Sequence, residues 1–172
     1  MVQNYKDEPQ LIFENVALGH TDGQATLYAF KVGESVPQEV SMLASFNRYA
    51  LLYNGFGYQG EIEELQVPTL SAASLLAKHG IVELDLLQID TEGFDYEIIK
   101  MFLNTGVKPA IISFESACLD FKTLCECMNL LTSNGYRLLT IGIDTIACRQ
   151  EDDDAFLITA EDIKELISKR SA

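Results

Sequence analysis

The stretch Asp85-Leu86-Leu87-Gln88-Ile89-Asp90-Thr91-Glu92-Gly93-Phe94 decides how the chain reads. Asp85 to Ile89 is a compact apolar run of strand length, and Asp90 to Gly93 turns the chain. Glycine at 93 permits a tight passage from strand to helix. Phe94 to Leu103 follows with Phe94, Ile98 and Phe102 on one helical face. On the upstream side, Thr69 or Ser71 can cap a helix whose Ala72, Leu75, Leu76 and His79 recur at helical spacing until Gly80 stops it. On the downstream side, Ala110 to Phe114 reads as a buried strand. Phe121, Leu124, Cys125, Met128 and Leu131 mark a helix ended by Asn134-Gly135, and Tyr136 to Ile141 with Thr145 to Cys148 form a last pair of strands. Strands alternating with helices of this length indicate an α/β sheet, at least partly parallel.

Further out the pattern loosens. Leu11 to Val16 and Ala25 to Phe30 read as two strands joined by the turn Thr21-Asp22-Gly23. Residues 33–61 read as a long loop with one helical stretch near Phe46 to Tyr53. Leu65 and Val67, just before Pro68, suggest a short edge strand. Glu151 to Asp154 reads as a solvated acidic turn, and Thr159 with Asp162 forms a capping box for a short helix within residues 155–172.

The chain has 172 residues, with 26 Asp+Glu against 12 Lys+Arg and a formal net charge of −14. That length predicts one domain, residues 1–172, and 48% hydrophobic with 22% charged residues is globular rather than disordered composition. No run approaches the roughly 18 apolar residues of a membrane span, and the N-terminus lacks the layout of a signal peptide. The acidic excess would repel phosphates and excludes nonspecific nucleic-acid binding, whereas a cationic ligand suits it. Of the four cysteines, Cys118, Cys125 and Cys148 have apolar neighbours and Cys125-Glu126-Cys127 is not a CxxC pair. These are read as buried thiols in a reducing cytoplasm, not as zinc ligands.

Gly55-Phe56-Gly57-Tyr58-Gln59-Gly60 matches GxGxxG, but that fingerprint works only after a strand and at the start of a helix. Here helix or loop precedes it and Glu61, Glu63 and Glu64 follow, so a flexible glycine loop is the better reading. The stronger candidate is the Asp90–Gly93 turn, since open α/β sheets gather ligands beyond the carboxyl ends of their strands. Asp90 or Glu92 could act as general base, ligate a metal, face a cationic ligand, or cap the helix that follows. Glu115 ends the next strand and would share that rim, unless it pairs with Lys108 or Arg137 at the surface. His20 reads as an exposed loop residue and Asp22 as turn chemistry.

Taken in order, Pro68-Thr69-Leu70-Ser71, Leu75-Leu76, Gly80-Ile81 and the 85–94 stretch resemble the signature region of the FkbM family of S-adenosylmethionine-dependent methyltransferases. Asn15 to Gly19 with Asp22-Gly23 resembles that family's third strand and hairpin, Ser45-Phe46 a loop of similar type, and Pro109 to Glu115 and Gly135 to Arg137 also fit. The resemblance covers residues 5–148. It implies a class I, Rossmann-like methyltransferase sheet with helices on both faces, here without the first two strands and their glycine-rich turn. It also implies methyl transfer from S-adenosylmethionine to a hydroxyl of a sugar or natural product. By position, Val16, Ala17, Leu18 and Gly19 would lie beside the cofactor. Asp90 and Glu92 would be the catalytic carboxylates, and Ser45 and Glu115 would sit on the substrate side, with no metal site assigned. Without the first two strands, Leu86 to Ile89 would be an open apolar edge, which leads to the expectation of a homodimer or rearranged sheet. The alternative is a catalytically inactive, truncated module that dimerises or binds a partner.

Overall fold

In the computed structural model the described residues are 5, 8–31, 36–54 and 58–150. They form, in chain order, β1 (Ala17–Leu18), β2 (Gly23–Phe30), α1 (Gln38–Ser41), β3 (Ala44–Ser45), α2 (Arg48–Asn54), β4 (Ile62–Leu70), α3 (Ala72–His79), β5 (Leu86–Ile89), α4 (Asp95–Asn104), β6 (Ile111–Glu115), α5 (Phe121–Ser133), β7 (Tyr136–Ile141) and β8 (Asp144–Arg149). The acidic turn at 151–154 and the helix expected within 155–172 lie outside the described residues.

The α/β class stands, but the strands divide into two sheets rather than one partial sheet. The first has the order β1-β4-β2-β3 and the second β5-β6-β8-β7. Each contains one parallel pair, β1 with β4 and β5 with β6; the other pairs are antiparallel. The first sheet is organised by a long ladder in which every residue of β2, Gly23 to Phe30, faces one of β4, Thr69 back to Ile62. β4 is therefore an interior strand of nine residues, not the short edge strand its sequence suggested. Pro68 is tolerated there because the parallel ladder with β1 covers only Ala17↔Thr69 and Leu18↔Leu70. Continuing that register would set Val16 opposite Pro68, which has no N–H to give. This accounts for β1 being two residues long, where Leu11 to Val16 read as strand. Leu11, Ile12 and Phe13 are exposed instead. Nor do β1 and β2 pair with each other across the Asp22 turn, because β4 lies between them.

The region read as a long loop holds α1, β3 and α2, with β3 hydrogen-bonded to β2. A helix precedes Tyr58 and a strand follows Glu61, the reverse of what a dinucleotide fingerprint needs; Gly55 to Gly57 lie outside the described residues.

Local chemistry explains the second half well. Ser71 caps α3 by accepting from Ser74 N at 3.2 Å, and Gly80 closes it at φ +64°. Asp120 caps α5 by accepting from the Lys122 and Thr123 amides. The segment before β4 is clipped to both ends of α3. Asp22 accepts from Ser71 N (2.8 Å) and Ser74 Oγ (2.6 Å), while Glu14 meets Lys78 and His79 at 2.7 Å each. Those hydrogen bonds hold the Asp22 carboxyl below the usual aspartate range. His79, placed by its spacing on the apolar helix face, is thus a half-buried partner of Glu14. Leu87, Ile89, Ile98, Phe102, Ile112, Phe114 and Leu131 build the main core. Phe121 and Cys125, expected on the inward face of α5, are exposed, while Leu124, Met128 and Leu131 of that face are half-buried or buried and Cys127 joins them, a rotation of about a quarter turn.

Candidate functional site

β5 delivers the chain to the Asp90–Gly93 turn, where two successive residues have positive φ: Glu92 at +51° and Gly93 at +99°. A Cβ at Gly93 would meet only ordinary contacts, 3.6 Å from Cys118 O and 3.8 Å from Ala50 Cβ, so the backbone angle rather than space calls for glycine. Glu92 enjoys no such freedom; a non-glycine residue there costs on the order of 1–2 kcal/mol. Neither Asp90 nor Glu92 caps the following helix, whose N-cap is Phe94 with no side-chain hydrogen bond.

The turn is anchored from inside by Thr91, whose Oγ1 donates to Asp95 Oδ2 at 2.9 Å. Asp95 is completely buried, and its Oδ1 has no hydrogen-bond partner among the described residues. Burial raises its pKa. The Thr91 hydroxyl and the backbone amides of residues 95, 115 and 93 pull the other way without closing a hydrogen bond on Oδ1. The sequence carried no sign of this residue, since an acid in the first turn of a helix is ordinarily solvated.

Two hollows flank the turn. The first, of about 300 Å³, is lined by Val16, Ala17 and Leu18 from the β1 segment, by Ser45 and Phe46, and by Asp90, Thr91 and Phe94. Phe46 and Phe94 meet edge to face at 5.0 Å and supply its flat apolar walls. So the fold brings together four residues expected at one site, Val16, Ala17, Leu18 and Asp90, although they lie in or next to strands of separate sheets. Gly19 is not on this wall. Its N–H donates to Leu70 O at 3.0 Å, and a Cβ there would sit 3.2 Å from Thr69 Cβ, so its smallness serves strand packing. Ser45 lies on the wall but is buried, and its hydroxyl already serves two main-chain partners: it donates to Glu92 O (3.2 Å) and accepts from Asn47 N (3.1 Å).

The second hollow, of about 620 Å³, is more polar. It is lined by Asn47, Tyr49, Gly93, Glu97, Cys118 and Asp120, among others. Neither Glu92 nor Glu115 is on its lining, but Cys118, which is, contacts both. Cys118 Sγ donates to Glu115 Oε2 at 2.9 Å and lies 3.8 Å from Glu92 Oε2. Cys118 therefore does not sit among apolar neighbours as its sequence context suggested. Burial first, then the Glu115 hydrogen bond and both carboxylate charges, push its thiol pKa far up, so it stays protonated. One ligand atom from each of Glu92, Glu115 and Cys118 lies within 4.8 Å of the others, a span one cation could bridge, but the thiol proton satisfies the arrangement as it stands. Among the described residues no ion pair joins Glu115 to Lys108 or Arg137. His20 is exposed as expected, yet its ring packs on Phe94 at 5.8 Å and Nε2 lies 3.4 Å from Glu97.

Among the described residues no helix is long and apolar enough to cross a membrane. Compared with known protein families, residues 2–138 match the family described as the methyltransferase FkbM domain. No curated protein and no solved structure matches the chain.

Proposed function

Because the chain belongs to the FkbM methyltransferase family, we propose that it is an S-adenosylmethionine-dependent O-methyltransferase acting on a hydroxyl of a sugar or natural product. The observation that carries this reading is the first hollow, where the β1 segment meets the end of β5. Its aromatic and aliphatic walls fit a flat adenine ring, and the Asp90 carboxylate on its lining favours a sulfonium over a neutral group. Its volume is at the low end for ligand pockets, and no Lys or Arg is among its lining residues. It therefore fits the adenosine and sulfonium end of the cofactor and leaves the amino-acid end outside.

Bound S-adenosylmethionine supplies an electrophilic methyl group. What the chain adds is a division of labour between two carboxylates separated in sequence by Thr91 alone. Asp90 is on the first hollow, whereas Glu92 borders the second through Cys118. Glu92 takes the acceptor hydroxyl's proton as general base, with Glu115 beside it, and Asn47, Glu97 and Asp120 offer hydrogen bonds to an acceptor rich in hydroxyls.

Calorimetric titration with S-adenosylhomocysteine tests this. Micromolar binding is expected, weakened about fivefold to tenfold in Asp90→Asn, the size of one charge at close range in a partly screened site. No heat from a folded protein would overturn the reading. A second reading is favoured by the edge position of β5, whose Leu86 is 52% exposed: a module that pairs with a second copy through that edge. A monomer by light scattering at micromolar concentration would sink it.

A further inference from the structure

We propose that Ser45 is a positioning residue, holding Glu92 in its left-handed conformation and so aiming the Glu92 carboxylate. The role assigned to that carboxylate rests on the methyltransferase reading above; the hold itself does not.

A glutamate at φ +51° leaves that basin unless neighbours keep it there. One such constraint comes from a different sheet. β3 is only Ala44 and Ser45, fixed to β2 by the pairs Tyr28↔Ser45 and Ala29↔Ala44. From that fixed point Ser45, 2% exposed, gives its single hydroxyl proton to the Glu92 carbonyl and takes the Asn47 amide proton. With the proton spent on the main chain, Ser45 has no hydrogen to offer an acceptor molecule, which argues against direct substrate contact. The next residue, Phe46, packs edge to face on Phe94 at the far end of the same turn. Ser45 and Phe46 therefore grip the second half of the turn, while Thr91 and Asp95 hold it from beneath. Glu92 Oε2 lies 3.8 Å from Cys118 Sγ in this arrangement. Rotation of the Glu92 peptide into the right-handed basin would swing the carboxylate away from Cys118 and Glu115.

A double-mutant cycle reads the hold directly. Ser45→Ala is expected to lower the melting temperature by about 3–8 °C, the loss of a buried hydroxyl with two partners in a chain of this length. In a Glu92→Gly background the same change is expected to cost less than half as much, because glycine adopts positive φ unaided. Ser45→Thr, which keeps the hydroxyl, is expected to recover most of the loss. Equal losses in both backgrounds would mean that Ser45 merely satisfies the Asn47 amide, and would overturn the proposal. If Ser45→Ala alone does not fold, the pair Ser45→Ala/Glu92→Gly decides: folding restored supports the hold, and folding still lost overturns it. None of these outcomes depends on a cofactor. Absence of S-adenosylhomocysteine binding by the unaltered chain would remove the methyltransferase reading and leave the hold of Ser45 on Glu92 untouched.

Discussion

Among the described residues, the sheet β5-β6-β8-β7 and its helices enclose a cluster of 13 buried residues, from Ala72 and Leu76 through Phe114 to Ala147, and the sheet β1-β4-β2-β3 encloses three, Phe30, Val40 and Leu51. Leu11, Ile12, Phe13, Met42, Tyr49, Leu52 and Leu65 in the first half stay exposed. The halves are therefore held differently. Hydrophobic burial is more extensive in the second, whereas the first adds to its small cluster, and to Leu18 packed on the large one, the β2–β4 ladder and clips to its neighbour: Asp22 and Glu14 to α3, Ser45 to the Glu92 turn. The candidate site lies where the two meet: the first half supplies Val16, Ala17, Leu18, Ser45 and Phe46, and the second supplies Phe94 and the carboxylates.

The sharpest way to break this comparison is the same substitution made in each half. Phe114→Ala, at a fully buried site in the large cluster, is expected to cost about 3–5 kcal/mol in chemical denaturation and to loosen the whole chain. Phe30→Ala removes an equally buried ring from the small cluster and is expected to cost about 3 kcal/mol, the lower end of that range. Its increase in amide exchange should be confined to β2, β3 and β4. Equal, global effects would show that the two halves are one cooperative unit.

Ser71→Ala is next in size, about 1 kcal/mol from loss of the α3 cap. Asp95→Asn probes the underside of the Asp90–Gly93 turn through pH. Burial raises the folded pKa of Asp95 above its unfolded value, so the folded state binds the proton more tightly, and stability falls as pH rises from the unfolded value through the raised one. The variant, which keeps an acceptor for Thr91, is expected to melt at or above the parent at neutral pH, with the gap closing below the ordinary aspartate pKa. A variant less stable at neutral pH would show that the charge is compensated. The smallest effect is chemical. Exposed Cys125 should react first with iodoacetamide, while Cys127, its pKa pushed up to about 12 by burial, and the carboxylate-bound Cys118 should lag. Early labelling of Cys118 would show that the Glu92–Glu115 side opens readily.

The elements from Ser71 to Cys148 were legible because each is specified locally. Ser71 and Gly80 bracket α3, Asn134-Gly135 ends α5, and residues 86–89 and 111–115 are apolar runs with one plausible conformation. In the first half the local signals found β2 and the helix α2 but misled elsewhere. Leu11 to Val16 is apolar enough for a strand, yet pairing is a property of the partner, and Pro68 offers no N–H opposite Val16. Leu65 and Val67 hinted at a strand whose true length depends on β2 lying alongside. The phase of α5 was off by about a quarter turn for a similar reason: Phe121 is as apolar as anything in the core, yet it is exposed and Cys127 is buried in its place.

Of the candidate site, the carboxylates Asp90, Glu92 and Glu115 and the family could be read from residue order, because the motif around the end of β5 is contiguous and strand ends are where ligands gather. Side-chain environment was decided only by tertiary structure. It set Asp95 in the interior, put Cys118 between two carboxylates, moved Gly19 off the hollow's wall and turned the Ser45 hydroxyl toward Glu92. Each of these depends on contacts between residues distant in the chain, or on burial by another element, and such contacts leave no trace in spacing or periodicity.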